Sequence, residues 1–280
     1  GHLKPKMSVG RAVIYLCLIV YAVIVIYPMF WTLMSSFKTT GEFYKSVWAL
    51  PESLHFENFV NAWKRAKLGW NILNSVFVVA ASLVLTDILA AMLAYITSRY
   101  KFKGAGVLST VFILGMFMPL VMGTIPQFLN LQKLGLYDTH LGLILIYTAY
   151  SLPFSVLIMR NTFETMPMDF MEAAKIDGAT HTQTFFKIML PLARSGLVTI
   201  SIFHFLWTWN DYIYAMTFIP SEAKRTLTVG LNQLTATAQY SADWGALFAG
   251  LVIVMIPSIL VYSIFSQELQ AGMNAGGIKG

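Results

Sequence analysis

An all-α membrane protein with six transmembrane helices is the fold class the sequence predicts, and three observations predict it. Apolar residues make up 57% of the chain and charged residues only 11%, against about 25% charged in soluble domains. Six apolar runs, at about 12–34, 71–97, 106–130, 141–163, 195–219 and 245–266, reach the roughly 20 residues a helix needs to cross the hydrocarbon core. Between the fourth and fifth runs the hydrophobicity breaks for a short polar, helix-forming insert at about 164–191, which must sit in water.

The first run is too long for a secretory leader, ends in Tyr27-Pro28-Met29-Phe30-Trp31 and has no small-residue cleavage site after it, so it reads as a retained helix. Its single cysteine, Cys17, has no intrachain partner and is expected to face lipid or pack. The chain begins Gly1-His2, so residues 1–6 carry no weight in the fold reading, and Met7 is a candidate native start. The segment 35–70 is too polar to span but carries Trp48, Pro51, Trp63 and Trp70, which places it at the outer interface. Pro119, Pro126, Pro153 and Pro257 are expected to kink their spans.

In the fifth run Phe203, Trp207, Asn210 and Tyr214 recur at steps of four, three and four, on one helical face. Aromatic rings beside an amide and a phenol make this face a candidate substrate pathway. Tyr150, Tyr147 and Gln127 are further candidates. The alternative is that these rings pack against neighbouring helices or form the interfacial belt. Asp87 in the second run and His204 in the fifth are ionisable groups deep in the membrane, where a charge costs about 2.5–3.5 kcal/mol. Counting from the helix ends allows an Asp87–His204 contact, read either as a structural hydrogen bond or as a proton relay.

Lysines and arginines set the orientation. With the N-terminus inside, eleven lie on the cytoplasmic side and eight outside, five of the latter within the long segment 35–70. Among short connections, Arg99-Tyr100-Lys101-Phe102-Lys103 carries three positive charges, whereas 131–140 carries only Lys133 and 220–244 only Lys224 and Arg225. Both termini, and the insert, are therefore expected in the cytoplasm. These basic residues are scattered at span ends, which argues against a nucleic-acid partner. No tandem repeat, low-complexity tract or second soluble domain is visible, so residues 1–280 read as one transmembrane domain.

The insert has the local grammar of helix, turn, helix. Pro167 suits a first helical turn, and Asp169 and Glu172 place negative charge near the positive helix end. Gly178 permits a left-handed stop. Thr180 and Gln183 have capping-box spacing for a second helix that runs to Leu190, before Pro191. Ala173, Ala174, Phe185 and Ile188 are then available for apolar contact, with Glu172 and Asp177 at the rim for arginines of a partner. The alternative is an amphipathic hairpin lying on the lipid surface.

The pattern Glu172-Ala173-Ala174, three residues, Gly178, nine residues, Ile188, one residue, Leu190-Pro191 resembles the cytoplasmic loop of the membrane subunits of ATP-binding-cassette importers. Trp207-Thr208-Trp209-Asn210-Asp211-Tyr212, Thr226-Leu227-Thr228-Val229-Gly230-Leu231, Asp243-Trp244-Gly245 and the glycine-rich tail from Gly272 to Gly280 are similar to the maltose-type carbohydrate permeases, specifically the shorter membrane subunit. The resemblance covers most of residues 10–280. It implies a bacterial inner-membrane sugar importer subunit whose loop between helices 4 and 5 docks a cytoplasmic ATPase as coupling helices. It also implies a heterodimer with a second permease, an ATPase dimer that binds Mg-ATP, and an extracytoplasmic sugar-binding protein. The chain itself has no phosphate-binding loop, zinc motif or nucleophile elbow, so no cofactor or catalytic residue is expected in it. The rival reading is an ATP-independent secondary transporter or channel using Asp87 and His204.

Overall fold

The computed structural model describes residues 9–118, 120–241 and 243–276. Pro119, the basic Lys4 and Lys6 and the end of the glycine-rich tail, with Lys279, lie outside the described residues. In chain order the helices are α1 (Val9–Ser35), α2 (Thr40–Lys45), α3 (Glu57–Arg65), α4 (Leu68–Arg99), α5 (Ala105–Met116), α6 (Thr124–Lys133) and α7 (His140–Glu164). Then follow α8 (Asp169–Ile176), α9 (His181–Thr184), α10 (Leu190–Leu192), α11 (Arg194–Asn210), α12 (Ile213–Phe218), α13 (Leu227–Ser241) and α14 (Trp244–Gly276).

Among the described residues four helices are long and apolar enough to span a membrane: α1, α4, α7 and Trp244–Glu268 of α14. Counting each of two bent helix pairs as one span gives up to six. The expected third and fifth spans are not single helices. The third is broken into α5 and α6 through a 3-10 turn, Leu120–Gly123. The fifth stops at Asn210, so α11 has 17 residues and a length of about 26 Å.

Of the prolines expected to kink spans, Pro153 and Pro257 lie inside α7 and α14. Pro126 instead sits in the first turn of α6, where no helical N–H is lost. The break in the helical dihedrals of α14 falls at Phe265, away from Pro257.

Contacts gather in two units, one holding the described residues up to Leu68 together with Leu231–Met255, the other Gly69–Gly230 with those from Ile256 on. In the first unit α1 is exposed along nearly its whole length, Cys17 included. The segment after it is folded. Thr39 and Glu42 form a capping box on α2, and the buried Lys38 donates from Nζ to the carbonyls of Ser46 and Val47 at 3.3 and 3.0 Å. Trp48 and Trp63 are exposed, as an interfacial segment requires. Asp243-Trp244-Gly245 is absorbed by this packing. Asp243 pairs with Arg65 at 2.6 Å, Trp244 stacks on Phe43 at 5.5 Å, and a Cβ on Gly245 would come within 2.6 Å of the Lys38 carbonyl.

The second unit is built on α4, α7 and α11. Small residues permit close approach: Ala90, Ala91 and Ala94 of α4 are fully buried, and a Cβ on Gly196 of α11 would stand 2.5 Å from the Thr162 hydroxyl of α7. Two core clusters result. One joins α4, α7 and the insert through Tyr95, Met159, Phe163, Phe185 and Met189; the other gathers Val78, Leu143, Tyr147, Tyr214 and Phe218.

Between α6 and α7, Asp138 takes a positive φ of 57°. Its carboxylate accepts from the Ser221 N–H at 3.1 Å, the Ser221 hydroxyl at 2.5 Å and Lys224 Nζ at 3.2 Å. Burial opposes ionisation of Asp138, but the donors of Ser221 and Lys224 prevail and hold its pKa below the usual carboxylate value. A depressed folded pKa gives stability that is complete above the unfolded value of about 3.9 and is lost as pH falls through the folded value. The wild-type advantage in thermal unfolding over Asp138→Asn, which tolerates the same positive φ, is therefore expected to be constant from neutral pH to about pH 5 and to shrink below about pH 4.

Candidate functional site

The insert forms two helical limbs. The first, α8, ends in a Schellman turn: the Ala179 N–H donates to the Ala174 carbonyl at 2.9 Å, and the Gly178 N–H to Lys175 at 3.1 Å. Gly178 has φ +75° with nothing within 4 Å of an added Cβ, so the residue is required by its dihedral alone. The second limb opens with the Thr180–Gln183 capping box, both bonds present. It does not stop before Pro191. A π-helical turn over Phe185–Met189 feeds α10, which carries Pro191 in its first turn and runs to Leu192. A proline cannot donate to the preceding turn, and the π turn, closed by the Leu190 N–H on the Phe185 carbonyl, lies directly before it.

The faces of the limbs differ from the sequence reading at two positions. Ala174 and Phe185, expected to be open to a partner, are only 2% and 6% exposed, and Phe185 roots the insert in the α4–α7 core. Glu172, Ala173, Asp177, Gly178 and Pro191 are exposed, and Ile188 and Leu190 half-buried. The open apolar surface is supplied instead by residues the sequence reading missed: Phe170, Phe186, Leu192 and above all Ile176, which is 85% exposed. Ile176 was legible as the last helical residue before a glycine turn, where no later turn can cover it.

The end of α4 grips both limbs. Arg99 Nη2 donates to the carbonyls of Phe163 and of Met166, the latter at 2.7 Å, and Nη1 lies 2.9 Å from Met168 Sδ. The Tyr100 hydroxyl shares a 2.9 Å hydrogen bond with His181 Nδ1.

The second candidate region is aromatic. Trp207 stands edge-on to Tyr147 at 5.5 Å and to Tyr150 at 6.3 Å, and Tyr150 lies 5.1 Å from Tyr214. Gln127 Nε2 donates to the Tyr150 hydroxyl. Tyr214 does not share a helical face with Phe203, Trp207 and Asn210, because α11 ends at Asn210; it reaches Trp207, at 6.1 Å, from α12. The cause of the break is Asp211. Its carboxylate caps α12 by accepting from the N–H groups of Tyr214 and Ala215 at 3.4 and 3.0 Å, and accepts the Tyr147 hydroxyl at 2.7 Å. Asn210 is exposed, its amide donating to Leu206 O at 2.7 Å and Ser258 Oγ at 3.1 Å. Phe203 packs edge-on to Phe154 at 5.3 Å.

Asp87 and His204 do not contact each other. Asp87 accepts from the Ser201 hydroxyl at 2.5 Å, and His204 Nε2 shares a 2.8 Å hydrogen bond with Ser82 Oγ. Each ionisable group takes a serine on the facing helix, so the pair forms two separate rungs between α4 and α11. Thr226–Gly230 likewise serves packing: Leu227 N–H donates to Ser75 Oγ at 2.8 Å, Thr228 Oγ1 to Asp211 O at 2.5 Å, and Gly230 leaves room for the Asn71 side chain.

Residues 87–274 match the family described as binding-protein-dependent transport system inner membrane component. The diacetylchitobiose uptake system permease protein of Streptomyces coelicolor is 40% identical over 268 residues, covering 96% of this chain and 89% of that protein. The trehalose transport system permease protein of Mycobacterium tuberculosis is 32% identical, over 90% of this chain and 92% of that protein. Among solved structures, a chain from a bacterial ABC transporter involved in the import of the acidic polysaccharide alginate aligns with a TM-score of 0.83 at 26% identity, covering 94% of this chain and 99% of that chain.

Proposed function

Since the chain belongs to the family of binding-protein-dependent transport system inner membrane components, we propose that it is the membrane-spanning subunit of an ATP-driven sugar importer, with the insert as its ATPase-docking element. The observation that carries this reading is an exposed, capped helix-turn-helix rooted in the α4–α7 core by Phe185 and Met189. A loop of no function has no reason to be so fixed. Glu172, Ala173, Asp177, Gly178, Ile188, Leu190 and Pro191, joined by Phe170, Ile176 and Phe186, form the docking surface: apolar side chains for a cleft, a small alanine for close approach, and carboxylates for arginines. Ala174 supports this surface from beneath.

In this reading both termini are cytoplasmic, by the distribution of basic residues. A second permease completes the pathway, an ATPase dimer binds Mg-ATP, and an extracytoplasmic binding protein delivers the solute. The solute is a carbohydrate, as the names of the diacetylchitobiose and trehalose relatives support. Trp207, Tyr150, Tyr214, Asn210 and Phe203 supply ring faces, phenols and an amide suited to it.

Mild-detergent purification from the native membrane, with intact-mass identification of what co-purifies, tests the assignment. A second permease and two ATPase copies are expected. A lone chain or homodimer without ATPase would overturn it.

A further inference from the structure

The insert is covalently continuous with α7 and α11, but its firmest polar anchorage is to a helix that does not lead into it. The end of α4, with Tyr100 directly after it, places Tyr95, Arg99 and Tyr100 against the insert and the end of α7 that leads into it. Tyr95 packs between Phe163, at 5.5 Å, and Phe185, at 5.0 Å. Arg99 closes the elbow between α7 and α8 by adding its guanidinium donors to the Phe163 and Met166 carbonyls at a helix C-terminus, where a cation is favoured. Tyr100 holds His181, the first residue of the second limb. A guanidinium is a planar fork that can bond two carbonyls at once, which a flexible ammonium does not reproduce.

From this turn α4 runs about 30 Å to Val78, which is fully buried in one cluster with Tyr147 and Tyr214. On the way it is tied to α11 by the Asp87–Ser201 and Ser82–His204 rungs. We propose that Arg99 and Tyr100 are positioning residues that clamp α4 to the insert, so that displacement of the insert by the ATPase is carried along α4 to the aromatic cluster. This rests on the reading that the insert docks the ATPase. Coupling of this kind needs a rigid element whose position both sites bias, and α4, gripped at both ends, is such an element.

The test uses the whole complex, with Cys17→Ser and spin labels at Leu73, exposed at the far end of α4, and at Thr182, exposed on the second limb. Label separation is measured by pulsed electron resonance without nucleotide and after trapping with Mg-ATP and vanadate. In the wild type the separation is expected to be the same in both states, because α4 and the insert move as one body. In Arg99→Ala it is expected to differ between states by about 2–5 Å, the size of a helix shift to a one-turn slip. Arg99→Lys and Tyr100→Phe, which keep the charge and the ring, are expected to show smaller differences.

A wild-type separation that changes with nucleotide, or variant traces identical to the wild type while the ATPase stays bound, would overturn the clamp and leave the docking reading standing. Loss of the ATPase from Arg99→Ala, Arg99→Lys and Tyr100→Phe alike would also overturn it, since these residues would then serve only to fold the insert. A wild-type complex that purifies without ATPase would overturn both readings.

Discussion

Replacing Gly178 by valine is expected to abolish most ATP-coupled uptake while the membrane subunits still assemble. The position has φ +75° and open space around a built Cβ, so the substitution meets no clash in the chain and acts through the backbone. Holding a β-branched residue in the left-handed region costs roughly 1–3 kcal/mol, enough to depopulate the native turn by about five- to 150-fold. The Schellman bonds from Gly178 and Ala179 are lost with it, and α8 with its exposed Glu172 and Ile176 swings relative to α9. Gly178→Asn is the control, since asparagine tolerates this conformation. The pair is measured as ATP-coupled uptake of the sugar carried by the binding protein, alongside ATP hydrolysis. Loss in valine with retention in asparagine identifies the turn geometry as the requirement. Equal loss in both would mean that the partner packs against the glycine itself, and full uptake in valine would refute the docking reading.

How much of this was legible in the sequence depended on whether the signal was local. The capping box at Thr180 and Gln183 and the stop at Gly178 depend on residues within one turn of each other, and they stand where spacing puts them. The faces of the same helices do not depend on local spacing. Phe185 turns inward to pack on Tyr95 of α4, in the cluster that also holds Phe163, and hydrophobicity alone cannot say which apolar side chain is claimed by the core.

The break in the fifth span follows the same rule. Its hydropathy is continuous through residue 219, but a carboxylate at 211 finds two N–H groups and a phenol, and that local gain outweighs one more turn of helix. Asp87 and His204 are correctly placed in facing helices by counting, yet each takes a serine partner. Register between α4 and α11, over a hundred residues apart in sequence at these contacts, is set by packing that leaves no periodic trace.

Asp211→Ala is expected to be the most destabilising substitution in the aromatic region. It removes the cap of α12, worth about 0.5–2 kcal/mol, and strands the hydroxyl of Tyr147, a residue only 1% exposed, at a further cost of about 1–3 kcal/mol. Both losses fall on the junction that holds Tyr214 beside Tyr150 and Trp207, so the proposed sugar surface should disassemble along with the break. Thermal unfolding of the purified complex should therefore drop by several degrees, and uptake should fall with it. Tyr147→Phe separates the two contributions. Alone it removes the phenol that Asp211 accepts and leaves the cap intact; combined with Asp211→Ala it deletes a donor that already lacks an acceptor. The double variant should then be more stable than the sum of the single losses predicts, by about 1 kcal/mol or more. Additive losses would show that Tyr147 and Asp211 act independently, and that the cap alone fixes the break.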